Sequence, residues 1–565
     1  MRKYYILLSI IFICLSCSLE DKADMIITSN NIYTATNADS IQAIAIKGDR
    51  IIALGSTEKI MAMKGAETTV IDAGDNFVMP GFIEGHGHFP NFAKTIQNLN
   101  FMKDTSWAQI VEKVKLKVAE SDSGAWIYGR GWHQEKWSET PAAHFGDYPR
   151  HDDLSAVSPD NPVILVHASG HSLFANAKAM QLAGISKEMA DPKGGHIVRD
   201  DINEAIGVFE ERAMNSVGVL YQEYLNGLDE NEQKKLWLEA FSLAEQECLK
   251  YGITSFQDAG LQYKELDYFE ELAAQEALNI RFWVMLREPI GNLSSEQIQR
   301  YRKIGLANNH YTCRAIKSEI DGALGAHGAW LLEPYEDKPG FYGQNTTELS
   351  DVEQIAALCH ENDMQLCVHA IGDRANKETL DVIQSYSNRS EKGLRWRVEH
   401  AQHLNPADIQ RFKNTGAIAS MQGVHCTSDA PFVEKRLGYM RARIGAYAWK
   451  ALLDQGVTIV NGTDVPVENI NPFENFHASV TRTRLDNGLR FFVEQRMSRD
   501  QALKSYTIDA AYGAFEEDLK GSLEKGKLAD IIVLDQNLLE CPDDDITNTK
   551  VLHTIIGGDL KYSLN

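Results

Sequence analysis

Three things are scarce in this 565-residue chain, and each scarcity excludes a class of protein. Cysteine comes first. There are eight, two of them (Cys14 and Cys17) close to the N-terminus, and Cys248, Cys313, Cys359, Cys367, Cys426 and Cys541 are scattered with no CxxC spacing. That pattern excludes a disulfide scaffold or a zinc ribbon, and a chain this long builds its core without cross-links. Positive charge is the second scarcity: 56 Lys and Arg stand against 79 Asp and Glu, a net charge of −23. No basic stripe is available for nucleic acid, and an acidic surface favours solubility without naming a substrate. Apolar runs long enough to cross a bilayer are the third. The run Tyr4–Leu15 is too short to do so comfortably.

That run follows the basic Met1-Arg2-Lys3 and leads to Leu15-Ser16-Cys17-Ser18, then to Glu20-Asp21-Lys22. Such an order reads as a signal peptide. A small residue before Cys resembles a bacterial lipobox, so residues 1–17 are expected to be a leader with Cys17 as the lipidated residue. An ordinary cleaved signal is the alternative. Either one exports the chain, and the lipobox places it in the bacterial periplasm or envelope, held to the membrane by its lipid anchor alone.

Composition is otherwise that of a globular protein, 44% hydrophobic and 24% charged. Short β-prone runs fill residues 25–80 and recur at Ala529–Leu534 and Val551–Ile556. We expect one small β-sandwich domain from both chain ends, 24–80 with 520–565. Between them, apolar strands alternate with helical patterns, which favours a parallel sheet with crossover helices. Eight candidate strands stand out: Gly81–His86, Thr254–Asp258, Arg281–Leu286, Ala315–Ile320, Gln365–His369, Arg395–His400, Ala417–Met421 and Val457–Asp464. Eight is the number that closes a (β/α)₈ barrel. The fold class is therefore α/β, a distorted TIM barrel over 81–519. About 165 residues separate the first two strands, and an inserted subdomain is expected there, about 90–250.

With the strands placed, the polar residues order themselves. His86 and His88 leave the same face of strand one. Lys317 is in strand four, His369 and His400 end strands five and six, and Asp464 ends strand eight. Barrel enzymes keep their chemistry at these C-terminal ends, and imidazole with carboxylate suits zinc. Around the mouth, His171 either contacts substrate or caps a loop. Trp132 with His133 and Trp137 either lines a pocket or forms a small core. Arg374 pairs with a substrate carboxylate or with its own helix.

Several stretches carry a resemblance. They are Pro80-Gly81-Phe82-Ile83-Glu84-Gly85-His86-Gly87-His88, Gly170-His171-Ser172, Gly252-Ile253-Thr254-Ser255, Lys317 through Asp321-Gly322-Ala323-Leu324-Gly325, and His369-Ala370-Ile371-Gly372-Asp373-Arg374-Ala375. Arg397-Val398-Glu399-His400-Ala401-Gln402, Ala419-Ser420-Met421-Gln422, Asn461-Gly462-Thr463-Asp464-Val465-Pro466-Val467 and Gly521-Ser522-Leu523-Glu524-Lys525-Gly526 complete the set. Together they resemble the amidohydrolase superfamily, in the branch of YtcJ-like hydrolases and N-substituted formamide deformylases. The resemblance implies one or two divalent ions, zinc first among them. His86, His88 and Asp464 would hold one ion, His369 and His400 a second, and Lys317 would bridge them as an N6-carboxylated lysine. It implies hydrolysis of a non-peptide, amide-type C–N bond in a small N-acyl or N-formyl amine. Asp464 would move the proton, and His171 would polarise the carbonyl or bind substrate. Gln257 stands where relatives often carry His.

Two other functions compete. Cyclic amidine deaminases of the superfamily commonly place Glu four residues after the strand-five His, where this chain has Asp373. An inactive lipid-anchored binding protein is the third reading, and the intact ligand set counts against it. A homodimer is the commonest assembly for such a chain.

Overall fold

Apolar runs buried on both faces are the mark of parallel strands covered by helices, and eight such runs become the centre of this protein. The computed structural model describes residues 22–36, 40–101, 104–134, 137–139, 141–146, 148–168, 171–387 and 393–564. The expected leader and Cys17 lie outside the described residues. Among the described residues, no helix is long and apolar enough to cross a membrane.

The barrel strands are Phe82–Gly87, Ile253–Leu261, Arg281–Leu286, Tyr311–Glu319, Gln365–Ala370, Arg397–His400, Ile418–Met421 and Ile459–Asn461. Each pairs in parallel with the next in chain order. In strand three, Trp283 and Met285 point inward onto Ala259, Ala315 and Cys367. The alternate Phe282, Val284 and Leu286 pack outward against the helices. Local chemistry bounds the helices. Pro406–Thr415, for example, starts with Asn405 accepting from Ala407 N–H and ends at Gly416 in the left-handed region.

The barrel is nearly closed, and the seam between strands eight and one is held by individual hydrogen bonds. Asp464 N–H donates to His86 O (2.7 Å). The Glu84 carboxyl accepts from Thr463 N–H (2.6 Å) and from its hydroxyl (3.2 Å). The close approach requires glycine: a Cβ on Gly85 would lie 2.3 Å from Asn461 O.

Both chain ends form the small domain. One sheet has the order Arg50–Gly55, Ala43–Lys47, Ala23–Thr28, Lys64–Asp72. The other runs Asn31–Ile32, Phe77–Pro80, Ile531–Leu534, Val551–Ile556, Asp559–Ser563. Ile27, Ile44 and Ile46 of the first share a core with Val78, Ile531, Val533 and Ile555 of the second. The buried Arg281 guanidinium grips Asp530 at 2.7 and 2.9 Å, tying barrel strand three to the sandwich. The six described cysteines are free thiols.

After strand one the chain builds a six-stranded sheet between Leu99 and Glu211 with apolar clusters on its faces. This insertion is shorter than expected at both ends. Helices Phe89–Gln97 and Glu230–Lys250 pack on each other and bury Phe89, Phe92, Phe241, Ala244 and Cys248 in the barrel core. Their apolar stripes face barrel strands, so these helices belong to the barrel. Trp132 is fully buried in the insertion among Trp137, Phe174 and Tyr148, its Nε1–H donating to Leu165 O (2.8 Å). It is a core residue there and has no surface to offer a substrate.

Gly85→Ala should force strands one and eight apart and cost at least about 1–3 kcal/mol of stability, read as a lowered midpoint in denaturant unfolding. An unchanged midpoint would show that the seam is not tightly packed.

Candidate metal centre

Five of the six expected ligands sit on or immediately after barrel strands whose alternate side chains face the axis. His86 and Lys317 lie within strands one and four, His369 in strand five, and His400 is the last residue of strand six. His88 caps the helix that follows strand one, and Asp464 lies three residues beyond strand eight. His400 (φ 72°) and Asp464 (φ 59°) both occupy the left-handed region, which non-glycine residues seldom adopt outside constrained sites.

The structure gathers these side chains. His86, His400 and Asp464 are buried and offer ligand atoms that all lie within 4.8 Å of one another. Asp464 Oδ1 is 3.3 Å from His88 Nε2 and 3.6 Å from His86 Nε2. The His400 ring is the hub, with its centroid 4.7 Å from that of His86 and 4.6 Å from that of His369. The expected division put His88 beside His86 and Asp464, with His400 at a second ion. The part-exposed His88 does lie against Asp464, and His400 joins His86 and Asp464 within the 4.8 Å cluster.

A chain of buried charges stands behind the trio. His86 Nδ1–H donates to Glu399 Oε2 (2.5 Å). Arg397 in turn grips Glu399 at 2.7 and 3.1 Å, and also donates to Gly85 O (2.7 Å), Ser420 Oγ (2.7 Å) and Gln257 Oε1 (2.6 Å). Burial pushes the Glu399 carboxyl up, but Arg397, with His86 and Lys317, holds it well below the usual range. Gln257 thus belongs to this network, its amide N–H also donating to Ala510 O (2.8 Å). His400 Nδ1–H donates to Gln422 Oε1 (2.8 Å). In both imidazoles a fixed Nδ1–H leaves the lone pair on Nε2.

Electrostatics keeps His86, His369 and His400 neutral. Burial, helped by the Lys317 charge, lowers His86 to about 4 and His369 to about 3. Burial also lowers the Lys317 ammonium. Burial pushes the Asp464 carboxyl up, but His88 at 3.3 Å and the nearby imidazoles hold it well below the usual range. Neutral nitrogens facing an ionised carboxylate form a metal-binding donor set. The decisive observation is that His86 Nε2, His369 Nε2 and Asp464 Oδ1 are buried without a hydrogen-bond partner in the protein. Such groups are costly unless something else satisfies them, and a divalent cation fits this set.

His425 joins the centre unexpectedly. It opens a helical turn after strand seven, and its Nε2 is 3.8 Å from Asp464 Oδ2. The Asp321 carboxylate ties the segments after strands four and five together by accepting from Trp330, Ile371 and Gly372 N–H (2.8–2.9 Å). The other expected substrate contacts find protein partners. His171 is exposed on the insertion, with Nδ1 3.1 Å from Glu211, and Arg374 stacks on Trp330 at 4.3 Å. His403 is buried against Tyr447 with neither ring nitrogen hydrogen-bonded.

Glu399→Gln should weaken zinc affinity about 10- to 100-fold by unfixing His86, measured by chelator competition; an unchanged affinity would break the link. Burial lowers His403 to about 3. The unfolded chain therefore binds a proton there that the folded one refuses, and stability is lost as pH falls below about 6.5. His403→Phe should reduce that loss by about 2 kcal/mol between pH 6.5 and 5, seen in urea unfolding at the two pH values.

Comparison with known proteins gives this site its setting. The sequence profile of the Amidohydrolase family matches residues 69–562. Protein LONG AFTER FAR-RED 3 of Arabidopsis thaliana is 30% identical, over 96% of this chain and 92% of its own. Putative amidohydrolase YtcJ of Bacillus subtilis (strain 168) is 27% identical, over 94% and 98%. N-substituted formamide deformylase of Arthrobacter pascens is 24% identical, over 95% and 98%. A crystal structure of an uncharacterized metal-dependent hydrolase from Pyrococcus horikoshii OT3 shares the fold, with TM-score 0.69, 23% identity and coverage of 92% and 99%. With a match across most of the chain and a His-His-Asp cluster at the mouth of an eight-stranded barrel, this protein belongs to the amidohydrolase family.

Proposed function

We propose that this protein hydrolyses a non-peptide, amide-type C–N bond in a small N-acyl or N-formyl amine. The observation that carries the reading is the unpartnered buried His86 Nε2, 3.6 Å from the ionised Asp464 within the His86, His400 and Asp464 cluster. Similarity to N-substituted formamide deformylase along nearly the whole chain supports the bond type. Zinc is the proposed metal, with His86, His400 and Asp464 as its core ligands and His88 and His369 at hand. Lys317, N6-carboxylated, is proposed to bridge a second ion. A divalent ion held there supplies Lewis acidity to a scissile carbonyl and to water.

The protein's own groups do the rest. Asp464 stays ionised at neutral pH and lies at the open end of the barrel, so it can take a proton from the attacking water. It can return that proton to the leaving nitrogen, as general acid–base work requires. Glu399 and Gln422 fix the imidazoles so that no reorganisation is needed during the reaction. The deaminase reading has less support. Asp373 stands where such enzymes place their Glu, but its Oδ1 accepts from Leu332 and Arg374 N–H (2.8 and 3.0 Å) and anchors a helix start.

Zinc- or manganese-loaded protein should turn over members of a panel of N-formyl amines, N-acyl amino acids and para-nitroanilides. Asp464→Asn should keep the fold and lower kcat at least about 100-fold. A metal-loaded wild type inert on the whole panel would sink the reading, and a near-normal kcat in the variant would remove Asp464 from proton transfer.

A further inference from the structure

Three histidines at the centre have a ring nitrogen fixed by a neighbouring side chain, and they are fixed in opposite senses. For His86 and His400, the partner of Nδ1 is an oxygen acceptor, Glu399 Oε2 or Gln422 Oε1. Nδ1 therefore carries the proton, and Nε2 presents a lone pair. For His425, the partner of Nδ1 is the amide nitrogen of Gln402, Nε2 at 3.1 Å. An amide NH₂ can only donate, so His425 Nδ1 accepts, and in the neutral ring the proton must sit on Nε2. That Nε2 is the buried, unpartnered atom 3.8 Å from Asp464 Oδ2.

The ring is held rigidly. It stacks on His400 at 6.0 Å with 26° between planes. Its loop is pinned by Gly423 N–H donating to Asn461 Oδ1 (3.1 Å) and Val424 N–H donating to Asn475 Oδ1 (2.5 Å). A Cβ on Gly423 would fall 2.1 Å from Ser479 Oγ, so the loop has no slack.

We infer that His425 is a catalytic hydrogen-bond donor rather than a metal ligand. Its Nε2–H is aimed at the oxygen of the scissile carbonyl, where negative charge grows as water adds. This rests on the reading that the centre hydrolyses an acyl-type bond. A pre-aimed neutral donor is suited to that task because it stabilises the developing oxyanion without adding a cation beside the metal. His425 supplies what His86 cannot, because the His86 nitrogen that faces Asp464, Nε2 at 3.6 Å, bears no hydrogen.

The test uses the full zinc-reconstituted chain, with methylphosphonate as a tetrahedral oxyanion probe. For wild type, His425→Ala and His425→Gln, zinc equivalents are measured by plasma mass spectrometry and methylphosphonate affinity by titration calorimetry. His425→Ala should keep the wild-type zinc content and bind methylphosphonate at least about tenfold more weakly, and His425→Gln, which retains a donor, should recover part of that loss. On any substrate found, kcat should fall about 10²- to 10³-fold, as for loss of one oxyanion donor. Loss of zinc from His425→Ala would make His425 a ligand or a support for Asp464 and overturn the inference. So would unchanged methylphosphonate binding, or a zinc-loaded wild type that does not bind the probe. A wild type inert on acyl amines but with His425-dependent probe binding would sink the proposed function and leave the donor role standing.

Discussion

The buried contact between Arg397 and Glu399 is the interaction on which the rest of this structure depends. Neither side chain reaches solvent. A carboxylate in such a place is costly to keep ionised, and Arg397 does so from within the same strand, two residues earlier. Arg397 also ties Gly85 of strand one, Gln257 of strand two and Ser420 of strand seven into one layer across the barrel. The ionised Glu399 then dictates which nitrogen of His86 holds a proton. One ion pair thus fixes the barrel's interior, the charge of the site and the tautomer of its first ligand.

The seam between strands one and eight follows the same economy. The chain approaches itself so closely there that only Gly85 and Gly462 fit. The Asp464 amide bonds the His86 carbonyl, so the backbone that closes the barrel also sets two ligands side by side. His400 and Asp464 both hold positive φ, a strained backbone kept only where the surroundings impose it. Structure and site are one arrangement here. The insertion after strand one is different in kind, because it carries its own sheet and cores.

Much of this was legible in the sequence, and the physical reason is periodicity. Strands buried on both faces read as apolar runs, and all eight were found, with ends displaced by a few residues. Ligands at strand ends were legible because the strand fixes where they point. His425 was not, since it stands four residues past Met421 on a helical turn, where no strand period places it; the Met421-Gln422 run was the nearest signal. Glu399 lay in plain view between Arg397 and His400, and the period of two would have put Arg397 and Glu399 on one interior face. The ends of the insertion are hard to read from sequence because an amphipathic helix such as Glu230–Lys250 looks the same whichever core it serves. Trp132 was ambiguous for the same reason: an aromatic residue announces burial and does not announce against what.

The central claim is that His86, His400 and Asp464, backed by Glu399 and Gln422, hold a divalent cation. The most direct measurement is anomalous diffraction at the zinc edge from crystals of zinc-reconstituted protein. A peak bounded by His86 Nε2, His400 Nε2 and the Asp464 carboxylate is the predicted result, with any second peak lying toward His369 and Lys317. Zinc bound elsewhere, with none among these three side chains, would contradict the account.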